Sequence, residues 1–444
     1  MRYQKETIER LTGEKVVISD TMLTELNRWI QLYQTTSKPS KEKKVNRAAA
    51  IAAEFARLVT LEMKSRVTGS LRAEYIDRIY QSFLKRLRPE VEHAAAFGGV
   101  VFKPYLSGNE IVIDCVNANE FYPLSFDTNG KICGAVFLSR IARSKKYYTK
   151  LEVHKYCNSE ENIRNLFFES NIENDIGRRI SKRKIKEWCE FEDEVTIINL
   201  KRPLFCYFKM PFANSVDLDS PMGVSVYSKA CNLLEDADNI YMQTLWEHES
   251  AERAIYLSYD AFRIDENGKT VVPGGSERIY RKLSTDDSNF YEEFAPEIRN
   301  EAFHRGEDRI LRKIEFECSL AYGTLSDAQN VDKTAEEIRS SKQRSYSAVS
   351  DIQNALEDSL CDLIYSIDVW CDLCGNVPEG EYNVSFEWND SILADRNREF
   401  EEKRALVLDG LMQPWEFRAW YFGEDEETAR KMVAKNEEQD IFEE

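Results

Sequence analysis

Cysteine and histidine are the residues of this sequence best suited to bind a metal or attack a substrate, but their spacing favours neither. Cys371 and Cys374 form a CxxC pair, yet no second CxxC and no nearby histidine pair completes a zinc site. The other eight cysteines stand singly, mostly within apolar stretches, and we interpret them as buried thiols in a reducing compartment. None of the four histidines lies near a cysteine pair. We therefore expect no metal and no cofactor.

Glycine-rich and acidic stretches give no strong catalytic motif either. The run from Gly98 to Lys103 lacks the spacing of a P-loop and the Ser or Thr after its lysine. Glu357, Asp358 and Asp362 could in principle hold Mg²⁺ for a nuclease, but on a helix with an apolar opposite side they are typical of a solvated face. We predict that the chain is not an enzyme, with a Mg²⁺-dependent DNA-processing enzyme as a less favoured alternative.

The charge of the chain limits how it can meet nucleic acid. Its 444 residues include 60 Lys plus Arg and 78 Asp plus Glu, a formal net charge of −18. A protein that wraps DNA by neutralising phosphates should be basic, so the charge balance argues against tight, sequence-independent DNA binding over the whole surface. No apolar run approaches 18 residues and the first residues lack the apolar stretch of a secretory signal, so we expect no membrane-spanning helix and no signal peptide.

Hydrophobic spacing predicts an α+β fold in which helices come first. Apolar residues at helical spacing predict helices over Thr21–Tyr33, Arg47–Ser65 and Leu71–Phe97. From Gly98 the period changes to two. Two hairpins are predicted there, one around Ser107-Gly108-Asn109 and one around the turn that ends at Gly130.

Long helices dominate the second half. Helical spacing predicts helices over Val224–Arg253, Glu297–Glu317 and Thr334–Cys371, the first about 45 Å and the last about 55 Å long. A small strand-containing insert, Ala254–Ala295, separates the first two, and the polar stretch Leu320–Asp332 separates the last two. Helices of this length need apolar neighbours along their whole length. We expect those neighbours to come from the same chain or from other copies of it.

Several stretches carry a resemblance by their order and spacing. They are Val91–Val100 with Phe102–Tyr105, Phe121–Leu124 followed by Asp127–Gly130, Pro221–Tyr227 with Leu234–Asp238, Thr334–Ile338, and Gly410 with Phe422–Glu427. Together with the helix order, they resemble the portal protein of tailed bacteriophages, of the siphophage type. No single stretch is a catalytic-grade signature, but the resemblance covers most of the chain.

This resemblance implies a structural protein that forms a ring, usually of twelve subunits, at one vertex of the capsid. Double-stranded DNA would pass through the ring during packaging and ejection. The ring would dock the terminase motor and the head-tail connector, and it would contact the major capsid and scaffolding proteins. The location implied is the virion, and the host cytoplasm during assembly. A non-viral oligomeric scaffold or adaptor remains the alternative.

The resemblance also implies a portal-like division of the chain. The parts are a wing (1–223), a stem helix (224–253), a clip (254–296), a second stem helix (297–318), a tunnel loop (319–333), a long helix that crosses the wing (334–374) and a crown (375–444). The crown is short, with no extended helical barrel, and the clip is compact.

The tunnel-loop position holds side chains that suit a conduit for DNA. A conduit must centre DNA without gripping it, and each phosphate contact adds affinity that sliding has to break. The loop can move more readily than a packed helix, although an ordinary surface connector would have the same composition. Our candidates, polar or acidic with a single base, are Ser326, Asp327, Gln329, Asn330, Asp332 and Lys333.

The predicted stem carries charges of both signs. Arg305, Arg309 and Arg312 are spaced by four and three residues, which places them on one helix face. They either form a basic ring that lines the stem or pair with acidic residues of the neighbouring stem. We favour pairing between subunits with Glu235, Asp236 and Asp238.

Overall fold

We describe the protein from a computed structural model. The structure describes residues 3–34, 45–108, 110–251, 254–258, 263–264, 270–271, 280–283, 291–294, 297–327, 335–375, 377–388 and 396–440. Helices and strands are mixed, which confirms the predicted α+β class. The chain forms two compact units, one of residues 1–61 and 65–386, the other of residues 62–64 and 387–444.

Five helices open the larger unit: α1 (Lys5–Thr12), α2 (Asp20–Tyr33), α3 (Arg47–Thr60), α4 (Leu71–Leu84) and α5 (Leu87–Phe97). Ser19, Asn46 and Ser70 cap three of them, because each side chain accepts a hydrogen bond from a backbone N–H in the first turn. The prediction of one helix from Leu71 to Phe97 was wrong. In a continuous helix, the ring of Pro89 would clash with the carbonyl of Lys85, so the helix breaks there.

Two antiparallel sheets follow. The small sheet has the order β10–β2–β3, from β2 (Gly99–Ser107), β3 (Glu110–Asn117) and β10 (Cys206–Lys209). The strands of the large sheet are β4 (Phe121–Phe126), β5 (Ile132–Arg143), β6 (Lys146–Cys157), β7 (Glu160–Ser170), β8 (Arg178–Arg179) and β9 (Glu194–Ile197). Their order is β4–β5–β6–β7–β8, and the sixth strand, β9, is also paired to β7. Both predicted hairpins are confirmed, β2–β3 and β4–β5.

Two glycine-containing motifs that lie far apart in sequence meet at the end of α5. Gly98 has φ +89°, and a Cβ on either Gly98 or Gly223 would overlap the backbone carbonyl of the other. The Val226 N–H donates to the Ala95 carbonyl over 2.9 Å. Next to this close backbone contact, residues 221–225 are irregular, and a turn and a short 3-10 helix (Ser228–Ala230) follow. The helix predicted to begin at Val224 therefore begins only at Cys231.

The next elements are α6 (Cys231–Ser250), the strands of the insert and α7 (Asn300–Glu317). At 20 residues, α6 is about 30 Å long. In the insert, β11 pairs in parallel with β14 and antiparallel with β15, and β12 pairs with β13. The strands are β11 (Ala254–Ser258), β12 (Arg263–Ile264), β13 (Thr270–Val271), β14 (Tyr280–Leu283) and β15 (Tyr291–Phe294).

The longest helix is α8 (Ala335–Cys374), with 40 residues and a length of about 60 Å. It packs on the small sheet and on α3 and α4 of its own chain. Arg72 of α4 holds its C-terminal end: this fully buried guanidinium bonds the Asp368 carboxylate over 2.8 Å, the Asp368 carbonyl and the Val377 carbonyl.

The smaller unit holds α9 (Arg396–Leu408), α10 (Pro414–Phe422) and α11 (Glu426–Asp440). Its main segment begins at Glu387. Just before it, β16 (Tyr382–Glu387) pairs with β1 (Lys64–Gly69). The crown proposed for residues 375–444 stays a prediction. Across the described ranges, no helix combines the length and the apolar character needed to cross a membrane.

Candidate functional site

The helices α6 and α7 form an antiparallel pair. At the end next to the insert, Arg299 donates two hydrogen bonds to the Glu247 carboxylate, over 2.9 and 2.7 Å. These bonds from Arg299 lower the pKa of the Glu247 carboxyl. At the opposite end, Leu233 of α6 and Phe316 of α7 both line an open groove, which is described below. The pair is therefore clamped where the chain leaves for the insert and returns.

Two arginines fasten the α6–α7 pair to the N-terminal helices. Arg47, the first residue of α3, reaches Asp238 of α6 over 2.8 Å and Glu307 of α7 over 2.5 Å. Its side chain is only 10% exposed. Arg28 of α2 reaches Glu235 of α6 over 3.0 Å. Since Arg47 bridges both helices, it fixes the base of the pair against the rest of the larger unit.

Glu315 organises the chain directly after α7. This carboxylate is fully buried, and one of its oxygens accepts the backbone N–H groups of Gly323, Leu325 and Ser326 over 3.1, 2.6 and 2.9 Å. Its other oxygen accepts the Ser326 hydroxyl over 2.8 Å. A buried carboxylate with four donors is fully satisfied. Residues 320–326 are therefore held in one conformation at the end of α7.

Asp308 extends this anchorage by about two turns of α7. It accepts the backbone N–H of Asp327 over 3.1 Å and forms an ion pair with Arg312 over 2.7 Å. The first part of the predicted tunnel loop is thus tied to α7 at Glu315 and at Asp308.

The structure separates the tunnel-loop candidates. Ser326 is 6% exposed with its hydroxyl on Glu315, so it belongs to the anchored base, whereas Asp327 is exposed. The remaining four candidates, Gln329, Asn330, Asp332 and Lys333, lie outside the described residues. Their role in contacting DNA stays a prediction.

The charged candidates on α6 and α7 have partners within their own chain. Glu235 and Asp238 pair with Arg28 and Arg47, as described above. Arg312 pairs with Asp308, and Arg305 lies 3.7 Å from Glu301 one turn away. Asp236 and Arg309 are exposed. Pairing between subunits stays a prediction, to which Asp236 and Arg309 are best placed to contribute.

An open groove of about 480 Å³ lies beside the base of the α6–α7 pair. Arg312, Lys313 and Phe316 of α7 line it, together with Tyr322 from the anchored segment. The guanidinium of Arg344, near the start of α8, lies 4.5 Å from the Phe316 ring centre and 5.5 Å from that of Tyr322. This cation–π contact joins the start of α8 to the segment that Glu315 holds.

The alternative site, the acidic face of α8, is organised by ion pairs. Asp362 pairs with Arg202 and, over 3.3 Å, with Lys131. Within the described ranges, no cluster of three or more His, Cys, Asp or Glu side chains has the geometry to hold a metal ion.

All ten cysteines are free thiols. Burial raises the pKa of Cys371, in the CxxC pair, to about 11, which keeps this thiol protonated. The interpretation of the single cysteines as buried was wrong for Cys157 and Cys189, which are exposed. Cys157 ends its strand at a hairpin turn, where one side of the backbone faces solvent.

Sequence reasoning missed Glu315 and Arg47, which do most to position this region. A buried glutamate in a helix can be recognised from its sequence context only once the structure is known. The context here is a glycine-containing turn within ten residues after the glutamate. Arg47 had no usable signal, because its partners lie 191 and 260 residues away.

Comparison with known proteins assigns the family. A search of curated proteins found no match to this chain. The family model described as phage portal protein, SPP1 Gp6-like, matches residues 34–441, which is nearly the whole chain. Phage portal proteins are structural rather than enzymatic. The chain therefore belongs to the phage portal protein family, of the SPP1 Gp6-like type.

Proposed function

We propose that this chain is the subunit of a portal ring, built of about twelve copies, at one vertex of a phage capsid. Double-stranded DNA passes through the centre of the ring during packaging and ejection. The observation that carries the proposal is the family match over residues 34–441, which includes every element of the α6–α7–α8 region.

Surfaces left uncovered in the single chain support an assembly of copies. Trp246 of α6 is 64% exposed and Phe316 of α7 is 52% exposed. In the smaller unit, Leu408 and Leu411 are each 78% exposed, and Ala429 is the one fully buried hydrophobic residue among those whose burial is described. Aromatic side chains such as those of Trp246 and Phe316 are enriched in the buried parts of protein interfaces. In a ring, the adjacent subunit can cover these exposed side chains.

We propose that residues 319–333 form a tunnel loop with a fixed base. Glu315 and Asp308 hold residues 320–327 on α7, and the loop beyond Asp327 carries the side chains that approach DNA. The net charge of −18 favours weak contact, since each phosphate bound by a cation must be released again as DNA slides.

The remaining assignments follow the family. The insert at residues 254–296 is the clip, which meets the terminase motor during packaging and the head-tail connector afterwards. The helices and sheets before residue 223 form the wing, which faces the major capsid and scaffolding proteins. The assembled protein resides in the virion at the capsid vertex, and it passes through the host cytoplasm during assembly.

Electron microscopy of the purified full-length chain tests the proposal. We expect ring particles with an axial hole, and a mass by light scattering close to twelve chains of 51.7 kDa. A single copy at every concentration would overturn the ring. Elongated dimers would instead favour a scaffold or adaptor, and Mg²⁺-dependent nicking of plasmid by the pure protein would favour the enzyme.

A further inference from the structure

Five ionisable side chains are buried together where the large sheet meets the small sheet. Lys150, Glu152 and His154 alternate along β6 and so share one face of the large sheet. Glu161 comes from the adjacent strand β7, and Lys103 comes from β2 of the small sheet. Each of the five is less than 8% exposed. Buried charges are tolerated only when they are paired and hydrogen-bonded, so the contacts among them must balance.

The contacts connect the two sheets. Glu152 accepts Lys103 over 2.7 Å with one oxygen and Lys150 over 2.6 Å with the other. Glu161 accepts the backbone N–H of Leu204, just before β10 of the small sheet, over 2.6 Å. Each carboxylate on the large sheet therefore binds a donor from the small sheet or from the segment that leads into it.

His154 lies between the two carboxylates. Its Nε2 is 2.7 Å from a Glu152 oxygen, and its Nδ1 is 2.6 Å from the Glu161 oxygen that Leu204 does not use. A neutral imidazole has one N–H and can satisfy only one of these contacts. The other contact would then bring a nitrogen lone pair against a carboxylate lone pair, unless an additional proton is present.

Two aromatic rings also pack against the imidazole. The rings of Phe137 on β5 and Phe205 pack edge-on against the imidazole at 5.2 and 5.6 Å. The charge of Asp114 on β3 acts on Lys150, the next buried residue of the group. Burial disfavours a charged imidazole, but the bonds to Glu152 and Glu161 outweigh it and raise the pKa of His154.

We propose that the fold contains one structural proton held between His154 and Glu161, and that this proton makes the docking of the two sheets sensitive to pH. The proton count is the same whether the proton resides on the imidazole or on the Glu161 carboxyl. In the unfolded chain, histidine loses its proton near pH 6.5. Folding above that pH must therefore take up a proton from solvent.

The sign of the effect follows from this uptake. Folding favours the state that binds the proton. The contribution of this proton to the stability of the folded chain is therefore fully present below about pH 6.5, and it is lost as pH rises towards the folded-state pKa. Between those two values, the folding equilibrium constant falls about tenfold per pH unit for one proton taken up. The other histidines and carboxylates titrate in the background, so comparison with variants isolates the effect.

Glu161→Gln is the informative variant, because it removes the need for the proton without leaving a buried group unpaired. The carbonyl of the introduced amide can accept the Leu204 N–H, and its NH₂ group can donate to Nδ1 of a neutral His154. Nε2 of His154 then donates to Glu152 as before. His154→Gln is a second variant without an imidazole, and His304→Gln, at an exposed position on α7, is the matched control.

Urea unfolding of the full-length chains at fixed protein concentration, from pH 6 to pH 9, tests the proposal. We expect the folding constant of the wild type, divided by that of Glu161→Gln, to fall up to tenfold per pH unit above about pH 6.5. The His304→Gln variant should follow the wild type. A ratio independent of pH would overturn the proposal. If Glu161→Gln does not fold, the wild type compared with His154→Gln must show the same fall, and a flat ratio there overturns it equally.

Discussion

The helix α8 and the α6–α7 pair differ in how much of their surface the rest of the chain buries. On α8, a stripe that includes Leu356, Leu360 and Leu363 is fully buried against the chain's own sheet and helices. On α7, every residue from Asn300 to Lys313 is exposed or half-buried, and Ile314 and Glu315 are the buried ones. The shorter helices are thus the less covered. Length alone does not indicate which helix needs another copy.

The chain itself, one of the two expected sources of neighbours, covers its longest helix. The small sheet, α3 and α4 pack on α8 and bury its apolar stripe from Val349 to Cys371. The α6–α7 pair leads to the insert, and Arg47 and Arg28 fasten its base to the N-terminal helices. The exposed faces of this pair are therefore available to pack against another copy.

The largest effect should come from the buried stripe of α8. Leu360→Ala removes a fully buried side chain and leaves a cavity, which should lower the free energy of unfolding by about 2–5 kcal/mol. Leu311→Ala, at a half-buried position of α7, should have a clearly smaller effect on a single chain. Urea unfolding of both variants measures the difference. Equal losses would contradict the distinction between the two helices.

A smaller effect should come from the anchored end of α7. Glu315→Gln replaces the charged acceptor of three backbone N–H groups by a neutral amide carbonyl, which weakens these hydrogen bonds and should lower the free energy of unfolding by about 1–3 kcal/mol. Proteolytic cleavage within residues 320–327 should become faster, because these residues lose their anchor. Glu317→Gln, two positions on and exposed, is the control. If both variants behave like the wild type, Glu315 does not fix the base of the loop.

Local sequence patterns predicted helices and strands well where the conformation depends on the sequence of that segment alone. The spacing of apolar residues from Ile338 onward predicted α8, and the turns at Gly108 and Gly130 predicted both hairpins. Where the conformation depends on contact with a distant segment, the sequence pattern predicted the wrong helix boundary. The start of α6 is set by contact of Gly223 with Gly98, and no periodicity in residues 224–230 reports that contact.

The site was less predictable than the fold, for the same reason. Composition identified the stretch after α7 as a polar loop. It did not indicate that Glu315 binds the first half of this loop and holds it against the helix. On β6, Lys150, Glu152 and His154 have the alternation of a solvated strand face, yet the small sheet covers them. Polar alternation predicts solvent, and only the docking of a second sheet turns the same residues into a buried network.

Trp246 gives the smallest expected effect on stability and the sharpest test of the comparison. At 64% exposure it contributes little to the folded chain, so Trp246→Ala should change the free energy of unfolding of a dissociated subunit by less than about 0.5 kcal/mol. If neighbouring copies cover it, the same substitution should weaken assembly, since buried aromatic residues often dominate interface energies. Light scattering across a dilution series measures the assembly, with Asn239→Ala, exposed on the same helix, as the control. Unchanged assembly would place the contact between copies elsewhere. Because folding and assembly respond separately, the variant distinguishes a face that the chain covers for itself from one that only another copy can cover.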